Sequence, residues 1–230
     1  MLIDNYNFFR DKLEFTNSGD FYVISIILRK KDITIKSPNI SKILLNNIDT
    51  HINPYWRVDP NLSNVIRKNI KNDRILYTYF IKSIEEYNSY EEEIKELCKL
   101  LQARVYFCIV KQNIYDTFDT IHDQLLCNSG KYEIYDSFID MFTLYKQNKR
   151  NIYGLVDLDG DEVNYKDYII KNILKWRFLY EIKSINGYHL IYNYHNKEIS
   201  EKIHELFPYK IACVDITPKT ILYYNDEKNS

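Results

Sequence analysis

Two aspartates one residue apart, Asp157 and Asp159, close the apolar run Ile152-Tyr153-Gly154-Leu155-Val156 and lead into Gly160-Asp161. If that run is a β-strand, residues i and i+2 share a face, so both carboxylates can clamp the same hard cations. A third carboxylate from a neighbouring strand would let such a pair hold two Mg2+ or Mn2+ ions, one activating a hydroxyl and the other steadying a pyrophosphate leaving group. Asp215 closes a second apolar run, Ile211-Ala212-Cys213-Val214. His189 follows the turn Asn186-Gly187, and a histidine beside backbone amides at a glycine turn suits an incoming triphosphate.

Each piece has an ordinary alternative. Asp159-Gly160-Asp161 also reads as a turn capping the next helix, Asn186-Gly187 as a plain hairpin, and His189 as a hydrogen-bonded core residue. A calcium loop starting at Asp157 fails, because Tyr168 stands where the closing Glu belongs. The combination, rather than any single piece, points to a site.

The elements that must position these residues follow from periodicity. A strand over 152–156 leads to a helix over 165–174, with Tyr165, Tyr168, Ile169 and Ile173 expected on one side. Strands over 178–182 and 188–192, a helix over 197–206 and a strand over 211–215 complete a βαββαβ order, and Thr220–Tyr224 extends or follows the last strand. In the sheet this order builds, the first strand is central. The fold class expected is α+β, with an N-terminal α/β module (1–150) packed against a C-terminal ferredoxin-like, RRM-like module (151–230) as one compact unit.

Five polar residues distant in sequence, Asp157, Asp159, Ser184, His189 and Asp215, should then meet at one edge of one sheet. In the N-terminal part the pattern predicts a helix over 3–14, strands over 21–28, 74–81 and 104–110, and a helix over 83–102 with Glu91, Glu92 and Glu93 facing outward. Two further helices are expected over 113–126 and 133–147. Residues 32–72, punctuated by Pro38, Pro54 and Pro60 and holding Trp56, read as loops with short helices.

Composition narrows the function classes. A net charge of −1 disfavours a protein that merely coats nucleic acid, while allowing a local basic groove around acidic metal ligands. No stretch resembles a signal peptide or a membrane span, so no membrane partner is expected. Cys98, Cys108, Cys127 and Cys213 lack the CxxC spacing of a zinc ribbon or redox pair; reduced, mostly buried thiols and a cytoplasmic location are expected.

The segments LVDLDGD (155–161), YEIKSINGYHLIY (180–192) and IACVDIT (211–217) resemble the three motifs of the archaeo-eukaryotic primase-polymerase superfamily. These are an acidic pair after an apolar strand, a small residue shortly before a strand histidine, and an Asp ending an apolar run. The resemblance implies Mg2+ or Mn2+ ligation by Asp157, Asp159 and Asp215, and nucleotide-phosphate binding by His189 helped by Ser184, with Gly187 as the other candidate for the small residue. It offers Arg104, Tyr106 and Lys111 as residues lining a cleft between the two modules, with buried packing the favoured role for Tyr106. Nucleic acid and nucleoside triphosphates are the implied substrates. With no zinc segment or helicase motif in the chain, helicase or other replication proteins are the implied partners.

The segments DFYVISIILRKKD (20–32), LCKLLQARVYF (97–107) and NGYHLI (186–191) are similar to pieces of a group of tailed-phage proteins, which implies a phage origin and the host cytoplasm. Two rival functions remain open at this point. Asp159 with Glu181-Ile182-Lys183 has the D…ExK form of a metal-dependent nuclease. A non-catalytic RRM-like module could instead stack single-stranded RNA on Tyr153, Tyr188 and Tyr192, or act as a phage interaction protein.

Overall fold

The fold is that of a computed structural model, which describes residues 1–29, 74–101, 103–115, 153–193, 197–208, 214–215 and 219–225. The expectations for 32–72, Trp56, Cys127, Cys213, the helix over 133–147 and nearly all of that over 113–126 lie outside these residues. The described chain combines helices with two antiparallel sheets. None of its helices is long and apolar enough to cross a membrane.

The larger sheet contains β1 (Leu2–Asp4), β2 (Asp20–Leu28), β3 (Arg74–Ile81), β4 (Arg104–Asn113) and β9 (Lys219–Asn225), in the order β1-β9-β4-β2-β3. The smaller contains β5 (Tyr153–Asp159), β6 (Phe178–Lys183), β7 (Gly187–Asn193) and β8 (Val214–Asp215), in the order β6-β7-β5-β8. The strand carrying the acidic pair is therefore central. Segment 151–230 feeds both sheets, because β9 inserts between β1 and β4 of the larger one.

The helix expected over 3–14 is instead β1 followed by the short α1 (Tyr6–Arg10). Tertiary pairing overrides the amphipathic pattern here: Leu2, Ile3 and Asp4 pair with Asn225, Tyr224 and Tyr223. Asn5 fixes the junction, its side-chain amide donating to the carbonyls of Ile221 (2.9 Å) and, on β6 of the smaller sheet, Lys183 (3.3 Å).

α2 (Ile84–Leu101) buries Tyr87, Ile94, Cys98 and Leu101 against the larger sheet. Its acids do more than face solvent. Glu91 accepts from Arg10 at 2.6 Å and Lys95 at 2.6 Å, and Glu93 accepts the Tyr79 hydroxyl at 2.7 Å. The reduced thiols of Cys98 and Cys108 are buried as expected.

One core joins both sheets. Leu155, Ile182 and Ile191 of the smaller sheet pack with Tyr22, Ile24, Phe107 and Leu222 of the larger. The other face of the smaller sheet, carrying Val156, Leu158, Leu190 and Tyr192, is covered by a composite helix over 160–177 and by α3 (Lys197–Leu206). The composite helix runs through 3-10, α and π turns before a final 3-10 turn. It buries Ile169 and Ile173 as the pattern requires, but Tyr165 and Tyr168 are exposed. A regular α-helical wheel misplaces them because this segment is not regularly α-helical.

Lys111 has a structural partner. It lies 3.1 Å from the Asp20 carboxylate, which is almost fully buried and accepts the backbone N–H groups of Thr16 (3.0 Å) and Asn17 (2.8 Å) and the Asn113 amide (3.0 Å). Burial pushes this carboxyl's pKa up. Hydrogen bonds from Asn113, Asn17, Lys111 and Thr16 outweigh it and hold the pKa well below the usual carboxylate range. A depressed folded-state pKa stabilises the fold fully above the unfolded value near ~3.9, and the contribution is lost as pH falls through the folded value. Asp20→Asn is therefore expected to lower stability at neutral pH by roughly 1–3 kcal/mol. It should also make stability less sensitive to acid below about pH 4. Urea melts of both proteins at neutral and acid pH check this; equal acid sensitivity would refute it.

Candidate functional site

β5 and β7 pair so that Asp157 lies opposite His189, Asp159 opposite Gly187, and Leu155 opposite Ile191. Alternation along β5 divides its residues between two faces. Val156 and Leu158 point to the helices, while Leu155 points to the larger sheet. Asp157 and Asp159 share the face of Leu155. On β5's other side Asp215 pairs with Leu155, a register position on that same face. Asp157, Asp159 and His189 thus come from adjacent strands onto the face that looks toward the larger sheet.

His189 is held from both sides. Its Nε2 lies 3.4 Å from Asp157 Oδ1, and its Nδ1 lies 2.7 Å from Thr220 Oγ1 of β9. An Nε2 facing a carboxylate carries the proton, so in the neutral ring Nδ1 accepts and the Thr220 hydroxyl donates. Thr220 is fully buried, whereas the Asp157 side chain is 36% exposed and that of His189 12%. The arrangement runs from the interior of one sheet, through the imidazole, to a carboxylate at the surface of the other.

Thr220→Val keeps the shape of the side chain and removes the hydroxyl. Nitrogen chemical shifts of the His189 ring should then report a change in tautomer balance. Thermal unfolding should show a loss of about 1 kcal/mol for the missing hydrogen bond. Unchanged ring shifts would refute this reading of the tautomer.

Asp159 also caps the composite helix. Its carboxylate accepts the Glu162 N–H, and the buried Glu162 carboxylate accepts the Asp159 N–H at 3.0 Å. The capping reading of Asp159-Gly160-Asp161 is thus realised, and it occupies part of the carboxylate's capacity of about four lone-pair sites. Gly160 takes φ +57 at this turn, a conformation glycine adopts without strain.

The remaining expected residues distribute as follows. Ser184 is buried, and its hydroxyl accepts the Gly187 N–H at 3.1 Å while its N–H donates to the Gly187 carbonyl at 2.9 Å. It closes the hairpin turn. Gly187 is required sterically, since a Cβ there would sit 1.9 Å from the Leu158 carbonyl oxygen. Arg104 is buried at the start of β4, its guanidinium 5.4 Å from the Tyr224 ring. Half-buried Tyr106 accepts a hydrogen bond from Arg29 at 3.3 Å. Phe107 is the β4 residue opposite Thr220. Arg104 and Lys111 stand three and four residues from it along β4, roughly 10 and 13 Å at the rise of a strand. The structure brings neither to His189.

The D…ExK set is split. Glu181 pairs with Leu190 on the helix-covered face and forms an ion pair with Lys166 at 2.8 Å, on the face opposite Asp159. Two of the three proposed stacking tyrosines are also unsuited to that role. Tyr192 is fully buried, its ring lying over Gly154, and Tyr188 packs against the same core beneath the Lys166 ammonium, 4.5 Å away. Thr220 is the residue sequence reasoning missed, and no local signal marks it. Glu162 had one, the D-x-x-E spacing of a capping box.

Asp157 and Asp159 are hard oxygen donors of the kind Mg2+ and Mn2+ prefer. Among the described residues, no three His, Cys, Asp or Glu side chains form a complete ligand set. Comparison with protein families, with curated proteins and with solved structures finds no match to this chain.

Proposed function

We propose that this protein is a metal-dependent nucleotidyltransferase of primase-polymerase type, its site on an RRM-like C-terminal module packed against an N-terminal α/β module. The observation that carries the reading is the pairing of Asp157 with His189 across β5 and β7, on a face shared by Asp159 and by the register position of Asp215. The strand order β6-β7-β5-β8 and the position of this face toward a second sheet support it.

Asp157, Asp159 and Asp215 are the residues that would hold Mg2+ or Mn2+, which when bound would acidify an attacking hydroxyl and neutralise triphosphate charge. The protein's own part is positional. Thr220 orients the imidazole, and Asp157 favours a proton on Nε2. Donation to a phosphate oxygen would take that proton from its position facing Asp157 Oδ1, 3.4 Å away. Nucleic acid and nucleoside triphosphates are the proposed substrates. Replication proteins such as a helicase are the proposed partners, in the cytoplasm of a phage host. The nuclease alternative loses support because its residues lie on two faces, and the base-stacking alternative because Tyr192 is buried.

The test is incorporation of labelled nucleoside triphosphates, ribo and deoxyribo, on primed and unprimed templates with Mg2+ or Mn2+. Metal-dependent incorporation is expected, abolished by EDTA. No incorporation under any of these conditions would overturn the proposal.

A further inference from the structure

Asp159 stands between two uses of its carboxylate. Strand alternation and its register opposite Gly187 put it on the same face as Asp157, where a cation would draw on both. Its carboxylate is nevertheless engaged elsewhere. It accepts the backbone N–H of Glu162, and the Glu162 carboxylate accepts the Asp159 N–H at 3.0 Å. This reciprocal pair opens the composite helix, which covers the opposite face of the sheet. Asp157 and His189 meet at 3.4 Å, but among the described residues no three His, Cys, Asp or Glu side chains stand together as a ligand group. All three of Asp157, His189 and Asp159 are described, so Asp159 does not complete a group with the other two.

The cap is held on one side and open on the other. Glu162 is buried, and a buried carboxylate is costly to leave without its hydrogen bond. The Gly160 N–H donates to the Asn186 carbonyl at 3.1 Å, tying the turn to the β6–β7 hairpin. A Cβ built on Gly160, however, would meet nothing within 4 Å, so that side of the turn is open. The Asp159 side chain can therefore rotate while its backbone stays in place.

We propose, resting on the metal-site reading above, that the Asp159–Glu162 capping box is an autoinhibitory contact. It holds one carboxylate of the site on the helix, and Mg2+ or Mn2+ binding beside Asp157 draws that carboxylate off the cap. The exchange sets one oxygen–cation bond against one hydrogen bond from a backbone amide. A single cap bond is modest, and a hard divalent cation attracts a carboxylate more strongly than an N–H does. Metal occupancy and order in the 160–165 turn are then linked with opposite signs: the cap weakens metal binding, and bound metal loosens the turn. A capping box with a purely structural role behaves in the contrary way. Loosening it would free Asp159 to wander, and metal binding would weaken or stay the same.

The test uses the full chain and Mn2+ alone, with affinity read by calorimetric titration and single-amide hydrogen exchange read by NMR. Asp157→Asn shows whether binding occurs at this site. Saturating Mn2+ should speed exchange of the parent's Glu162 and Asp159 amides several-fold and leave Leu190, within β7, unchanged. Glu162→Ala removes the acceptor for the Asp159 N–H, whereas Glu162→Gln keeps an acceptor and the box. Both remove the same charge, so comparing them isolates the cap. Glu162→Ala should bind Mn2+ about fivefold more tightly than Glu162→Gln, while melting at a lower temperature. If Mn2+ binds through Asp157 but the alanine variant binds no more tightly, or the two amides do not respond, this inference is overturned and the metal-site reading stands. If the parent does not bind Mn2+, or Asp157→Asn binds it equally well, both fall.

Discussion

Replacing Asp157 by Asn is expected to lower nucleotide incorporation about a thousandfold, equivalent to roughly 4 kcal/mol of transition-state stabilisation. The two side chains have the same shape, so the change removes charge and little else. Asp157 is 36% exposed at its side chain and stands on the middle strand of the sheet, opposite His189. Its loss should therefore leave the core undisturbed and the melting temperature within a few degrees of the parent. His189→Ala should act differently, chiefly raising the nucleotide concentration required, because the imidazole is assigned to phosphate rather than to metal. Incorporation rates at saturating and limiting nucleotide separate the two effects. If Asp157→Asn retains more than about a tenth of parental activity, a role as an essential metal ligand is untenable.

The largest effect on stability is expected at Gly187. A methyl group there would overlap the Leu158 carbonyl oxygen at 1.9 Å and press on Val163 at 3.0 Å. The first of these is backbone in the central strand and cannot swing aside as a side chain can. Relief requires β5 and β7 to separate where Asp159 faces Gly187. Gly187→Ala should cost at least about 3 kcal/mol, a large share of the stability of an ordinary domain. It should also loosen His189, two residues along. Chemical denaturation measures the first effect, and broadened His189 ring resonances the second. A loss below about 1 kcal/mol would show that the strands yield more easily than this geometry allows.

How far the sequence foretold this site depends on the range over which each contact acts. The strand over 153–159, the hairpin at Asn186-Gly187 and the helix over 197–206 rest on local periodicity and turn chemistry, and their order implied the central place of Asp157. Asp159's capping role was likewise readable in Asp159-x-x-Glu162. Thr220 was not readable. It reaches His189 only because β9 leaves the sheet of its immediate predecessors and joins the other one, a choice made by pairing with β4 and β1. Tyr165 and Tyr168, expected on one side with Ile169 and Ile173, part from them for a related reason. A change from 3-10 through α to π turns rotates a helix's faces without any marker in the hydrophobic pattern. Leu2–Asp4 became a strand because an edge of β9 was there to receive it. Lys111 and Arg104 carry the charge a nucleotide cleft would want, but the buried Asp20 carboxylate and the half-buried Tyr224 ring hold them elsewhere.

The placement of β9 also has a consequence for how the protein is made. Asn5 bonds to Ile221 across 216 residues, and the β1–β9 ladder has a similar span. During synthesis β2, β3 and β4 emerge long before the strand that covers β4. A nascent chain would carry that exposed, apolar edge from the end of β4 at Asn113 until β9 begins at Lys219, and closing so long a loop is slow. Completion of the larger sheet therefore waits for β9, whatever the other strands have done before. Until it happens Thr220 is not beneath His189, so the histidine is oriented only when the fold is nearly complete.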